Sequence, residues 1–461
     1  MRVGGRSQGY RRRMPGAAPP PETEVVAIGR EIAAALPAPG RHPVQAIDTR
    51  AMDLTSRDAE LKAALFRFVD VVPACRSVDD LAAHLVGFLG EVDTQTPPLR
   101  AAMRMGDSRA GRAALGTAAA AGVKHMARRF IVAQDPAAAR GTLQRLWRDG
   151  TAASVDLLGE ATVTTAEADC YATRCGEALD ALTRIYGDAP ARPRLERDGV
   201  GALPRANLSV KVSALTPLLK PDAPAMGQRD AAPRLRELLR RARDAGAHLH
   251  VDMESYDSRE AITDLVIDVL SEDEFRNGPS AGMVLQAYLR DGGELLDRVL
   301  AWSAAHERTP PLTIRLVKGA YWDHEFVEAR QHGWEPPVWE HKAESDRSFE
   351  ALTLRLLDAR PAVRVAIASH NLRSVAHAIA ANRASGGDDA DLELQVLRGL
   401  GDDLGHALAQ LGHRVRVYCP VGDLVAGMAY LVRRLLENTS NESFLAEQAR
   451  GAALDDLLAA P

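Results

Sequence analysis

Lys211, Asp252, Gln286, Arg315, the pair His370-Asn371 and Tyr418 each stand at the end of a short β-rich run, as do Asp156 and Glu160. A buried polar group left without a partner costs roughly 1–3 kcal/mol. Polar side chains converging from most strands of one sheet therefore point to a ligand site rather than to packing. Lys211 and Arg315 suit an anionic ligand, because a guanidinium offers carboxylates a planar, two-pronged donor. Lys211 could instead form a Schiff base, which would require a lowered pKa. His248-Leu249-His250 has the pattern of a metal-dependent hydrolase, but both histidines precede Asp252 on their strand and lie toward the other end.

A second chemical pattern lies near the C-terminus. Tyr430, Arg433, Arg434 and Glu437 fall at i, i+3, i+4 and i+7, on one face of a helix, with Leu431 and Leu435 on another. Alone, that stripe is a solvated face with an Arg433–Glu437 pair. Over a barrel mouth, its two arginines would clamp a small carboxylate.

The elements that must position these residues can be read from texture. Residues 1–21 carry Arg11-Arg12-Arg13 followed by prolines, the composition of a disordered tail. From 22 to 149 the pattern is helical: Glu24–Leu36, Asp58–Val72, Val78–Leu89, Ala113–Ala133 and Pro136–Asp149. After Gly150, β-rich runs alternate with helical stretches: Ser154–Gly159, Leu208–Ser213, His248–Asp252, Gly282–Tyr288, Leu312–Lys318, Val363–Ser369, Leu392–Leu397 and Val415–Tyr418. Eight β/α units predict an α/β fold, a (βα)8 barrel over 150–445 preceded by an all-α domain over 22–149, with 446–461 a tail or truncated linker. In such barrels chemistry sits at the C-terminal strand ends, where the polar residues are.

Alternation assigns faces. In Leu312–Ala320, Arg315, Val317 and Gly319 share one side, and Ile314, Leu316 and Lys318 the other; Lys211 shares a side with Ser209 and Ser213. Gly319 would let a flat ring approach the backbone, and a mouth carrying Lys211, Arg315, Arg433 and Arg434 would be cationic. Gly399-Leu400-Gly401-Asp402-Asp403-Leu404-Gly405 follows a strand but reads GxGxxxG in the seventh unit, which argues against a dinucleotide fingerprint.

Composition bounds the rest. The chain has 461 residues, 46% of them hydrophobic, and a net charge of −5, which gives no electrostatic case for nucleic acid. Cys75, Cys170, Cys175 and Cys419 form no CxxC pair, so neither a zinc site nor a disulfide framework is indicated, and they read as reduced structural thiols. The N-terminus has no apolar signal segment, and no apolar run reaches roughly 18 residues.

Together the motifs resemble the proline dehydrogenase family, in the form found as the N-terminal half of bifunctional proline utilisation A proteins. The resemblance rests on Asp156-Leu157-Leu158-Gly159-Glu160-Ala161, Val210-Lys211-Val212-Ser213-Ala214-Leu215, Arg315-Leu316-Val317-Lys318-Gly319-Ala320-Tyr321-Trp322, Ser369-His370-Asn371 and Tyr430–Asn438, and more weakly on Leu65–Asp70. It implies FAD held without a Rossmann fold by Gln286, Arg315, Val317, Gly319, Ala320, Trp322, His370, Asn371 and Glu437. Ser345 stands in Lys342-Ala343-Glu344-Ser345-Asp346, where the family has threonine. The implied substrate is L-proline: Arg433, Arg434 and Lys211 on the carboxylate, and Tyr321, Leu397, Tyr418, Tyr430 and Ala320 around the ring. Asp252 stands beside them, and Glu160 pairs with Arg433 as a gate. The implied reaction gives 1-pyrroline-5-carboxylate and passes electrons to a membrane quinone, in the cytoplasm at the inner face of the membrane. Tyr418 would crowd a hydroxylated ring. No metal is implied. The resemblance leaves open a homo-oligomer, and either a 1-pyrroline-5-carboxylate dehydrogenase partner or a missing C-terminal half. Two other readings compete, a metal-dependent hydrolase and a degenerate barrel serving as a scaffold.

Overall fold

The computed structural model describes residues 18–37, 59–93, 97–159, 162–423, 427 and 452–461. Eight parallel strands close into a barrel: β1 (Thr151–Leu157), β2 (Asn207–Val210), β3 (His248–Val251), β4 (Ser280–Gln286), β5 (Leu312–Val317), β6 (Val363–Ala368), β7 (Leu392–Leu397) and β8 (Arg414–Val421). Each pairs with its sequence neighbours, and β1 closes the ring by pairing with both β2 and β8. The expected strands are all present; their edges shift by up to three residues. One shift matters. β2 stops at Val210, and Val212–Leu215 is a helical turn, so Ser213 does not share a strand face with Lys211. Its N–H instead donates to Glu254 Oε2 at 3.1 Å.

Outward-facing strand residues are apolar and buried under the helices, such as Leu208, Leu249, Leu285, Ile314, Val365 and Leu394. The interior is polar. At its N-terminal end Arg416 grips Glu393 through two bonds of 2.9 and 3.0 Å. Arg364 grips Asp198 through two more, of 2.8 and 3.1 Å. Asp198 belongs to the two-stranded ribbon Arg197–Asp198/Gly201–Ala202. With Leu203 and Pro204 behind it, the ribbon closes that end, leaving a void of only about 20 Å³. Access to the interior is therefore from the C-terminal end.

The helices before β1 divide between two cores. Ala59–Val71, Val78–Gly90, Pro97–Met105 and Arg109–Phe130 form a helical unit around Phe68, Leu85, Leu89 and Phe130. Glu22–Ala35 and Arg140–Arg148, expected in that domain, put Val25, Ile28, Ile32, Leu143 and Trp147 into the barrel's core instead. Residues 452–461, expected as a tail or linker, also pack. Leu458 is fully buried against Gly29, and Arg30 pairs with Asp455 at 2.8 Å. Arg373 ties these pieces together, donating to Leu458 O and Glu350 (both 2.8 Å) and to Glu22.

Candidate active site

Asp252 is the hub of the barrel mouth. It follows β3, and its backbone N–H donates to Val210 O at 2.9 Å, which fixes where the carboxylate stands. Oδ1 accepts from Arg315 Nη1 at 2.8 Å, Oδ2 accepts from Tyr418 Oη at 2.7 Å, and Lys211 Nζ lies 3.8 Å from Oδ2. Arg315 is almost wholly buried, braced by the Ser209 hydroxyl at 3.2 Å and lying over the Tyr418 ring at 5.3 Å. Asp156, on β1, completes the group by pairing with Lys211. Five strand ends thus contribute to one network, and all five residues (Asp156, Lys211, Asp252, Arg315 and Tyr418) stand among the polar strand-end positions read from the sequence.

The charge state of the network follows from burial and pairing. Burial alone would lower the Lys211 pKa, but Asp156, Asp252 and Glu254 outweigh it and push it up to about 12. Lys211 is a fixed cation, which removes the Schiff-base reading. Burial pushes the Tyr418 phenol well above its ordinary range, with Asp156 and Asp252 adding to it, so the phenol stays protonated and donates. The described part of the mouth is not the cationic funnel expected. Two cations, Lys211 and Arg315, face three carboxylates, Asp156, Asp252 and Glu254. Any cationic excess must come from Arg433 and Arg434. Those two, with Tyr430, Glu437 and Glu160, lie outside the described residues.

The residues expected around a flavin fall into two sets. Gln286 is buried at the end of β4; its Nε2 donates to Glu254 O at 3.0 Å, while its Oε1 is buried without a hydrogen-bond partner. Beside it Arg315 Nε is likewise unpartnered. Val317, His370, Asn371, Leu397 and Tyr418 are half-buried along the rim, and Ala320 is exposed. His370 Nε2 accepts from Leu397 N at 2.9 Å, so Nδ1 is the protonated ring nitrogen. Asn371 caps the helix Leu372–Ala384 through Ser374 N at 3.0 Å. An orphaned acceptor and an orphaned donor on adjacent strands, under a half-open rim, fit the polar edge of a flavin ring.

The second set is held elsewhere. Trp322 donates its indole N–H to Trp339 O at 2.8 Å and stacks on Phe326 at 4.8 Å. It packs against a small apolar cluster that includes Tyr288 and Val338. Gly319 has φ +143, and a Cβ there would meet the Tyr288 ring at 2.4 Å, so its lack of a side chain makes room for Tyr288. Tyr321 is half-buried, and Ser345 is buried on the helix Lys342–Asp358 beside Asp346. Asp346 binds Lys318 and, at 2.8 Å, Lys342. The reading from sequence passed over this triad although its residues lie inside the quoted motifs, because alternation turns Lys318 away from Arg315. It also passed over Glu254, which follows a strand end by two residues and has no motif of its own.

Two rejected signals now have physical accounts. A Cβ on Gly401 would strike the His370 ring at 2.7 Å, so this glycine of the GxGxxxG run serves the rim. His248 Nε2 and His250 Nδ1 are 3.1 Å apart, with Ser280 Oγ 2.8 Å from His248 Nδ1, at the closed end of the barrel. Neither histidine joins a cluster of metal ligands among the described residues. A separate cavity of about 420 Å³, lined by Tyr256, Arg290, Glu325 and Trp334 among others, contains none of the expected site residues.

The family model for proline dehydrogenase matches residues 139–447. The chain belongs to the proline dehydrogenase family. A second family model, the proline utilization A N-terminal domain, matches residues 22–130. The bifunctional protein PutA of Salmonella typhimurium is 32% identical over 347 residues, 73% of this chain and 25% of that protein. Proline dehydrogenase 1 of Bacillus subtilis subsp. natto is 27% identical over 71% of this chain and 92% of its own length. Among solved structures, proline utilization A from Bdellovibrio bacteriovorus, inactivated by N-propargylglycine, superposes with a TM-score of 0.86 at 33% identity, covering 95% of this chain and 44% of that one. This chain therefore spans about a quarter of the length of the curated bifunctional relative and less than half of that structure. The barrel that the family implies is present, and the metal-dependent hydrolase reading has no support. Among the described residues no helix is long and apolar enough to cross a membrane.

Proposed function

We propose that the chain binds FAD and oxidises L-proline to 1-pyrroline-5-carboxylate, the electrons passing to a quinone. The observation that carries the proposal is the Asp252 hub. One carboxylate fixes Lys211, Arg315 and Tyr418 at the open end of a closed barrel, in a chain matched by the proline dehydrogenase model.

The roles divide by position. Gln286, Arg315, Val317, Gly319, Ala320, Trp322, Ser345, His370, Asn371 and Glu437 hold the flavin, with Gln286 Oε1 and Arg315 Nε offered to its polar edge. Arg433 and Arg434 take the proline carboxylate, and Lys211 adds a fixed positive charge beside them. Tyr321, Leu397, Tyr418 and Tyr430 enclose the ring and exclude water, and Glu160 pairs with Arg433 as a gate. When bound, the flavin supplies the two-electron acceptor. The chain's own task is orientation. The hub holds the Tyr418 ring and Lys211 in place before substrate arrives, so little ordering entropy remains to be lost on binding.

Membrane contact, a homo-oligomer, and a 1-pyrroline-5-carboxylate dehydrogenase, whether a linked half or a separate partner, are part of the same reading. It is tested by incubating FAD-loaded protein with L-proline and a soluble quinone and trapping the product with an aminobenzaldehyde. Quinone-dependent formation of the pyrroline adduct is expected. FAD-loaded protein that makes no adduct would refute the reading.

A further inference from the structure

In the helical unit, Cys75, Asp80 and His84 each present one ligand atom such that all three lie within 4.8 Å of one another. The local fold brings them together. Cys75 ends the 3-10 turn Val72–Ala74, and Ser77 caps the helix Val78–Gly90 by accepting from Asp80 N at 3.1 Å. Asp80 and His84 stand at i and i+4 on that helix, which places them on one face, one turn apart. Asp80 Oδ2 accepts from Arg76 N at 3.0 Å, and this returns the carboxylate toward Cys75. Oδ1 lies 3.6 Å from His84 Nε2. The neighbouring Asp79, not Asp80, is the residue that Arg112 approaches, at 3.4 Å.

Thiolate, carboxylate and imidazole form the donor set of zinc. A tetrahedral zinc with bonds of roughly 2.0–2.3 Å sets its ligand atoms about 3.3–3.7 Å apart. The Asp80–His84 separation already matches, while the Cys75 thiol, which donates to Val71 O at 3.5 Å, lies within 4.8 Å of both and must leave that carbonyl to close the remainder. We propose that Cys75, Asp80 and His84 bind a zinc ion, with water as the fourth ligand on the exposed His84 side. The ion would join the Val72–Ala74 turn to the helix that follows it and stabilise the helical unit; it takes no part in the barrel's chemistry. The spacing Cys-x4-Asp-x3-His is not a CxxC pattern, so a search for cysteine pairs passes over it.

The test uses the full-length, FAD-loaded chain. Chelator-treated protein is incubated with zinc, freed of excess and assayed for bound metal; a parallel sample takes cobalt, read as a difference spectrum against the metal-free flavoprotein. About one zinc per chain and a thiolate-to-cobalt charge-transfer band are expected. Cys75→Ser should abolish the band, and His84→Gln should weaken zinc binding more than about tenfold. His84 is exposed, so its variant folds and decides the matter even if Cys75→Ser is unstable. Wild-type protein that retains no more zinc than His84→Gln, or a cobalt spectrum without the thiolate band, would overturn the proposal.

Discussion

Tyr418 donates its phenol to Asp252 at 2.7 Å while its ring lies against Arg315, which donates to the other oxygen of the same carboxylate at 2.8 Å. The tyrosine is thus held at both its face and its tip, and cannot swing away from a ligand above it. A ring so fixed should crowd a hydroxyl on a five-membered substrate. Wild-type protein is expected to prefer proline to 4-hydroxyproline by roughly tenfold or more in kcat/KM, and Tyr418→Ser should narrow that ratio. Equal kcat/KM for the two substrates in wild type would contradict this placement.

The same relationship predicts the fate of the hub. Asp252→Ala leaves Arg315 buried with only hydroxyl partners, and removing one member of a buried pair costs roughly 3–5 kcal/mol. Thermal unfolding should show a clear loss of Tm with reduced FAD retention. A variant as stable as wild type would mean that Arg315 is solvated or paired in another way.

How much of this was legible in sequence depends on what each residue does. Lys211, Asp252, Arg315 and Tyr418 were readable because strand alternation and the barrel rule place them at one mouth, and the structure brings them within one network. Asp156 was visible at its strand end, but not as the partner of Lys211, because cross-strand pairing depends on a register that one strand does not reveal. Gly319 was legible as a place of close approach, but not that the Tyr288 ring, from another strand end, packs against it. The pairing inside the mouth was not legible either: Lys211 meets Asp156 from the adjacent strand β1, while Arg315 on β5 meets Asp252 after β3, two strands away. The packing of residues 452–461 was invisible, because Leu454, Leu457 and Leu458 do not say which surface they meet, and it is Gly29, far away in sequence, that makes room for Leu458.

Lys318 and Lys342 share Asp346 near the end of β5, so two ammonium groups stand against one carboxylate. If this surplus charge serves the cofactor's phosphates, Lys318→Met should raise the FAD dissociation constant by about tenfold, or 1.4 kcal/mol, with the proline KM of the loaded enzyme unchanged. Flavin titration checks it, and unaltered affinity would remove these lysines from the cofactor site.

Acid should loosen the closed end of the barrel. Burial, with Arg416 adding to it, pushes the His248 pKa down to about 3 from an ordinary 6.5. The unfolded chain therefore binds the proton that the folded one refuses. Stability from this group is full above pH 6.5 and declines as pH falls toward 3. Glu393 acts with the same sign. Burial opposes its charge, but Arg416 and Arg414 hold its carboxyl far below the usual range. Tm should fall progressively below pH 6.5, and less steeply in His248→Gln. A variant with an unchanged slope would show that His248 does not contribute.

Arg373 joins the helix Glu22–Ala35, the helix Lys342–Asp358 and Leu458. Arg373→Ala should cost roughly 3 kcal/mol, the low end of the buried-pair range, because Glu22 is half exposed. It should also open residues 22–35 to limited proteolysis. Unchanged protection there would mean that apolar packing alone holds the segment.

The central claim is that the barrel mouth brings L-proline to a bound flavin, and anaerobic reduction tests it most directly. Protein loaded with FAD is mixed with L-proline under argon and the flavin absorbance is followed. The account predicts bleaching of the oxidised band by L-proline, lost or greatly slowed in Arg433→Ala and Arg434→Ala while the flavin stays bound. A chain that takes up no FAD, or one whose bound flavin is untouched by L-proline, would contradict it.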